Sequence, residues 1–130
     1  MQPLLATAAV LAIVTGLVHS FLGEKLIFRH LRNATLVPTL PAPPLQSRHV
    51  RILWATWHLA SVLAWAFAGL LWTLAQDSSA AMSSQLILAA VGAAFLAGSL
   101  LVLVGTRGRH PGWVALGAVG FLSYAAMSAA

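Results

Sequence analysis

Two histidines and one glutamate stand out in this sequence because they lie within or at the end of long apolar stretches. His19 falls near the end of the first stretch, Glu24 follows it by five residues, and His58 lies inside the second stretch. Imidazole exchanges protons near neutral pH and is the commonest metal ligand among side chains. Ionisable groups in membrane-like apolar segments are candidates for a functional site. These three residues are therefore the first candidates for chemistry.

The depths of the two histidines predict that they belong to one polar cluster. His19 lies six residues before Lys25, and His58 lies seven residues after Arg51. At ~1.5 Å per helical residue, each imidazole is about 10 Å inward from a basic residue. Helices that follow one another in the chain are usually neighbours, and we expect an ion pair between Arg51 and Glu24. The predicted cluster contains His19, Ser20, Glu24, Arg51, His58, Ser61 and His110.

Several roles are open to this cluster. His19, Glu24 and His58 could bind zinc or iron through imidazole nitrogens and a carboxylate oxygen. A haem between His19 and His58 would require their helices to stand apart. The same groups could relay protons or bind a substrate, and a neutral histidine can also simply hydrogen-bond a serine on a neighbouring helix.

The sequence shows little enzymatic machinery. It has no cysteine, no histidine pair four residues apart in one helix, no Ser/His/Asp arrangement, no phosphate-binding glycine loop and no paired carboxylates. We therefore expect a non-enzymatic accessory, binding or transport component. The alternatives are a metal- or haem-binding redox protein that uses His19 and His58, and a structural subunit of a larger membrane complex.

The elements that position these residues are membrane-spanning helices. Of the 130 residues, 60% are hydrophobic and 7% are charged, whereas a soluble domain has roughly 25% charged residues. This composition excludes an ordinary soluble enzyme, a disordered chain and a nucleic-acid-binding module. Helices are predicted over about residues 3–31, 48–76, 84–105 and 111–128. Each is long enough to cross about 30 Å of hydrocarbon, so we predict an all-α integral membrane four-helix up-down bundle, with residues 1–130 as a single transmembrane domain.

The distribution of basic residues predicts the orientation. All seven lysines and arginines lie in the first and third connections between helices, and Asp77, Ser78 and Ser79 end the second helix. Because basic residues mark cytoplasmic loops, we expect a multi-pass protein of the cytoplasmic (inner) membrane with both termini outside. The first helix should be retained, since Met1 to Pro3 carries no basic side chain of the kind that begins a signal peptide.

Small residues predict close helix packing. They are Gly16, Ser20 and Gly23 in the first helix, and Ala90, Ala94 and Gly98 in the third. Trp54 and Trp57 resemble an aromatic belt at the membrane interface. The expected partners are the lipid bilayer and either further copies of the chain or a larger membrane complex.

Two stretches of the sequence resemble a family of small, uncharacterised bacterial inner-membrane proteins. The first is Gly16 to Glu24, with a His-Ser-x-x-Gly-Glu pattern, and the second is Trp57 to Ser61, with Trp-His. The resemblance covers mainly the first two helices and implies that His19, Glu24 and His58 act as one group. It implies no activity, cofactor or catalytic residue.

Overall fold

The computed structural model describes residues 3–76 and 84–129. Four α-helices follow one another in this part of the chain. They are α1 (Pro3–Leu26), α2 (Ser47–Gln76), α3 (Ser84–Thr106) and α4 (Gly112–Ala129). They pack antiparallel, which confirms the predicted all-α, four-helix fold. The residues expected to end α2, Asp77 to Ser79, lie outside the described part of the chain.

The first helix ends earlier than the sequence suggested. We expected it to continue to about residue 31, but the α-helix stops at Leu26 and a short 3-10 turn follows over Phe28–Leu31. Phe28 is buried in this turn and belongs to the apolar core, together with Trp54 of α2 and Val102 of α3. Because burial of that phenyl ring is favourable, the chain folds back after Leu26 and does not continue outward as a helix. The reversal brings Arg32 next to the end of α1.

The lengths and surfaces of the helices are those of a multi-pass membrane protein. Three helices, α1, α2 and α3, are long and apolar enough to cross a membrane, whereas the apolar part of α4, Gly112–Ala126, is shorter. The 18 residues of α4 span about 27 Å at ~1.5 Å per residue. Large apolar side chains point outward on both outer helices, among them Leu4 (84% exposed) and Phe121 (70% exposed). Surfaces of this kind are stable in lipid.

The helices pack mainly against their neighbours in sequence. Among the described residues, extensive contacts join α1 to α2, α2 to α3, and α3 to α4. The ends of α1 and α3 and the starts of α2 and α4 therefore lie at the same end of the molecule. All seven lysines and arginines lie at this end, and we call it the basic end.

Two glycines let the tryptophans of α2 reach the backbone of α1. Trp57 Nε1 donates to the His19 carbonyl oxygen at 3.0 Å, and Trp65 Nε1 donates to the Ile13 carbonyl oxygen at 3.3 Å. A Cβ on Gly23 or Gly16 would overlap the indole of Trp57 or Trp65, respectively. The close approach predicted from the small residues of the first helix is therefore present.

The small residues of α3 pack within the chain. Ala94 is 5% exposed, and a Cβ on Gly98 would overlap Leu59 of α2. Ser99 Oγ donates to the Trp113 carbonyl oxygen of α4 at 2.7 Å. This face of α3 therefore joins α2 to α4, and its small residues serve packing inside the molecule.

Candidate functional site

Glu24 is the centre of a polar site near the basic end. Its Oε1 accepts hydrogen bonds from Trp54 Nε1 at 2.6 Å and from His58 Nε2 at 3.0 Å, and its Oε2 forms an ion pair with Arg32. The side chains of Arg32 and His58 are 19% and 14% exposed, and that of Glu24 is 33% exposed. One carboxylate thus joins the end of α1, the following turn and α2.

A chain of hydrogen bonds continues from Glu24 into the bundle. His58 Nδ1 lies 2.9 Å from Ser20 Oγ, which lies 2.9 Å from Ser61 Oγ. Because an ionised carboxylate only accepts hydrogen bonds, His58 donates through Nε2–H to Glu24. The Ser20 hydroxyl has one proton, which it donates either to Ser61 Oγ or to Nδ1 of a neutral His58. We call Ser20, Glu24, Arg32, Trp54, His58 and Ser61 the Glu24 network.

A cavity adjoins the Glu24 network. Its volume is about 480 Å³. One side of its wall is polar and is formed by five residues of the Glu24 network: Ser20, Glu24, Arg32, Trp54 and His58. The remaining wall is apolar and consists of Leu36, Val62, Trp65 and Leu101. The cavity therefore offers hydrogen-bonding groups at one side and hydrocarbon or aromatic contacts at the other.

The structure brings together four of the seven residues of the predicted cluster: Ser20, Glu24, His58 and Ser61. Arg51 is not the partner of Glu24, because its Nε donates instead to the Pro38 carbonyl oxygen at 3.3 Å. The connection between α1 and α2 folds back, so Arg32 reaches the carboxylate in its place. His110 lies apart from Glu24, where its Nδ1 accepts a hydrogen bond from Gly112 N at 3.1 Å.

His19 and His58 do not face each other. The imidazole of His19 stacks on the indole of Trp57, with ring centroids 4.3 Å apart and planes 7° from parallel. Among residues 3–76 and 84–129, no three His, Asp or Glu side chains are grouped to hold a metal ion. His19, Glu24 and His58 therefore do not form the predicted ligand set. The tight packing of Trp57 against Gly23 also leaves no gap for a porphyrin between α1 and α2 at this level.

Two members of the network, Arg32 and Trp54, were not assigned to the site from the sequence. Trp54 lies one helical turn before His58, so its helical spacing places it on the same face, although we interpreted it as an interfacial residue. Arg32 lies eight residues after Glu24, beyond the end of α1. Only the 3-10 turn brings it back, and no pattern in the sequence signals that reversal.

The comparisons add no assignment to this geometry. No family model matches the chain, and neither a curated protein nor a solved structure shows significant similarity to it. Membership of the uncharacterised inner-membrane family thus stays a prediction from the two short stretches of sequence.

Proposed function

We propose that this protein is a non-enzymatic membrane component that binds a small amphipathic molecule in the cavity beside Glu24. The observation that carries the proposal is the position of the Glu24 network at the wall of that cavity. Glu24 of α1 and His58 of α2 face a space that a ligand can occupy, rather than a closed helix contact.

The hydrogen-bonding groups of the wall define the polar part of the ligand. Both ring nitrogens of His58 and the indole nitrogen of Trp54 already have partners. Arg32 has five N–H groups and Glu24 has about four acceptor positions, and the contacts within the protein use only some of them. A ligand group that both donates and accepts, such as a hydroxyl or an amide, matches this wall.

The apolar wall and the size of the cavity define the rest of the ligand. Val62, Trp65 and Leu101 offer surface for a ring or a short hydrocarbon chain. A volume of about 480 Å³ falls within the usual range for small-molecule sites, roughly 300–1,000 Å³. An amphipathic molecule that enters from the bilayer would have both the polar group and the apolar part that this cavity requires.

The order of Ser20, His58 and Glu24 raises the alternative of acyl transfer, because a nucleophile, a base and a carboxylate follow one another in this way in hydrolases. However, Ser20 lies within α1, where the backbone N–H groups bond to carbonyls of the same helix. The helical backbone around Ser20 therefore offers no pair of free N–H groups to stabilise an oxyanion. We therefore interpret the hydrogen-bonded sequence of Ser20, His58 and Glu24 as part of a structural and ligand-binding network.

We also propose a location and an orientation. The protein lies in the cytoplasmic membrane, with the basic end inside and both termini outside, because basic residues favour the cytoplasmic side. The Glu24 cavity would then lie near the cytoplasmic face. Association with further copies of the chain or with a larger complex stays a prediction from the sequence.

The binding proposal is tested by filling the cavity. Wild-type protein is extracted from membranes with a styrene–maleic acid copolymer, and retained small molecules are identified by native mass spectrometry. We expect one class of small molecule at near one copy per chain, and its loss in Val62→Phe. Val114→Phe is the matched control, because Val114 is 53% exposed on α4 and away from the cavity. The same bound molecules in all three proteins would contradict the proposal.

A covalent probe separates binding from acyl transfer. A fluorophosphonate, which modifies activated serines, should leave Ser20 unlabelled in the purified protein. Labelling of Ser20 that disappears in His58→Gln would replace the binding proposal with an enzymatic one.

A further inference from the structure

A second cavity lies at the basic end and shares no lining residue with the Glu24 cavity. Its volume is about 460 Å³, and it lies between the start of α2 and the turn that joins α3 to α4. Four arginines line it, Arg48 and Arg51 from α2 and Arg107 and Arg109 from the turn, together with His110. No Asp or Glu is among the residues that line it.

The positive charge of this cavity has no counter-charge within the described chain. Both ion pairs in residues 3–76 and 84–129 use Glu24, and neither includes an arginine of this cavity. The charges of Arg107 and Arg109 also act unfavourably on that of Arg51. Like charges that converge on one space repel one another unless an anion lies between them. An anion from outside the chain would remove this repulsion.

The local backbone supports the same ligand chemistry. The cavity reaches Ser47 and Arg48 in the first turn of α2, where the helix dipole is positive and favours a bound anion. Thr106 also lines the cavity from α3, but it donates its hydroxyl proton to the Val102 carbonyl oxygen at 2.6 Å and so gives no donor to the anion.

The turn holds Arg107 in an unfavourable backbone conformation. Gly108 N donates to the Leu103 carbonyl oxygen at 2.8 Å and Arg107 N donates to the Val104 carbonyl oxygen at 3.2 Å, the bond pattern of a Schellman helix end. Arg107 has φ 54°, in the left-handed region where glycine is the usual residue at this position. An arginine here costs backbone energy and places a guanidinium at the cavity.

We propose that this cavity is a phosphate-binding site, in which Arg48, Arg51, Arg107 and Arg109 bind a phosphate group. Guanidinium groups bind phosphate oxygens through paired, charge-assisted hydrogen bonds. The cavity lies at the helix ends, and therefore at the surface of the membrane, where both lipid headgroups and the solution are within reach. The phosphate is therefore either the headgroup of an anionic lipid or a free phosphate in solution.

The test measures binding to purified protein in dodecyl maltoside, a detergent without phosphate. In one arm, inorganic phosphate replaces chloride at constant ionic strength and the apparent melting temperature is followed. In the other arm, phosphatidylglycerol is added to the micelles and retained lipid is counted by native mass spectrometry. Stabilisation by inorganic phosphate identifies a free phosphate as the ligand, whereas retention of phosphatidylglycerol without a response to phosphate identifies a lipid headgroup.

Two paired variants decide whether the cavity is responsible. Arg107→Gly/Arg109→Gln removes two guanidinium groups from it, and Lys25→Gln/Arg29→Gln removes two charges elsewhere at the basic end. Both lower the net charge of +5 by two. We expect the cavity variant to weaken binding about tenfold or more for each guanidinium removed, and the control variant to bind as the wild type does. Equal weakening in both variants, or no binding in either arm, would overturn the proposal.

Folding of the cavity variant is checked in the same experiment. Glycine at position 107 adopts a positive φ without strain, so the single variant Arg107→Gly should melt at or above the wild-type temperature in chloride. It should nevertheless bind phosphate more weakly than the wild type. Wild-type affinity in a fully folded Arg107→Gly would exclude that arginine from the site and contradict the arrangement proposed.

Discussion

At the scale of single residues, Glu24 has partners from two segments of the chain outside α1. Arg32 comes from the turn after α1, and Trp54 and His58 come from α2. Burial of a charged group is favourable only when its partners compensate for the lost hydration. Glu24 supplies that compensation for Arg32, and it sets the orientation of the His58 ring. Its side chain thus has a structural role that is independent of any ligand.

Replacing Glu24 by glutamine should destabilise the protein. Glu24→Gln leaves the guanidinium of Arg32 largely buried without a counter-charge, and the partial exposure of the site limits the loss to about 1–3 kcal/mol. The free energy of unfolding can be measured by sodium dodecyl sulfate titration in mixed micelles with tryptophan fluorescence. The double variant Glu24→Gln/Arg32→Gln should lose less than the two single variants together. Unchanged stability in Glu24→Gln would show that the ion pair contributes nothing.

At the scale of elements, tryptophan and glycine define the contact between α1 and α2. Each indole of Trp57 and Trp65 packs over a glycine and donates to a backbone carbonyl oxygen of α1. In lipid there is little hydrophobic drive between helices, so close packing and hydrogen bonds supply the association. The register of α2 on α1, and with it the meeting of His58 with Glu24, depends on these contacts.

Adding one methyl group at this contact should separate the helices. A Cβ in Gly16→Ala or Gly23→Ala overlaps an indole, so each variant should lose about 1–3 kcal/mol of unfolding free energy. Gly69→Ala is the matched control on α2, because a Cβ there meets nothing within 4 Å, and it should be neutral or slightly stabilising. The same micelle titration applies to all three. An equal effect at Gly69 would indicate a general cost of replacing glycine in these helices.

The sequence predicts the helices better than it predicts the site. Apolar runs of membrane length predict α1 to α4, and Glu24 and His58, both members of the predicted cluster, do meet. His19 does not meet His58 as expected, because depth in the membrane does not determine rotation about the helix axis, and the His19 ring turns toward Trp57. Arg51 does not pair with Glu24 either, since the partner of Glu24 depends on a chain reversal that follows from the burial of Phe28. That burial depends on the packing of the whole structure, and no local pattern in the sequence predicts it.

At the scale of the whole molecule, the basic residues are gathered at one end. The basic end contains every lysine and arginine, and the apolar helices extend away from it. An even number of antiparallel helices puts the start of α1 and the end of α4 at the opposite end. The orientation of the molecule in the membrane therefore decides which compartment both cavities face.

The orientation can be tested with single cysteines, since the native chain has none. Thr35→Cys places a thiol in the connection at the basic end, and Gln76→Cys places one at the far end of α2, where the residue is exposed. A membrane-impermeant maleimide should label Gln76→Cys in intact spheroplasts and Thr35→Cys only after permeabilisation. The reverse pattern would place the basic end outside.

The separation of charge also has an electrical consequence. Seven basic residues and Glu24 lie at the basic end, which leaves six net positive charges there. Each elementary charge moved across a potential of about 100 mV changes the free energy by about 2.3 kcal/mol. Turning the protein over against an inside-negative potential of that size would cost about 14 kcal/mol. The voltage of an energised membrane would thus hold the molecule in one orientation with an energy comparable to the folding free energy of a small domain.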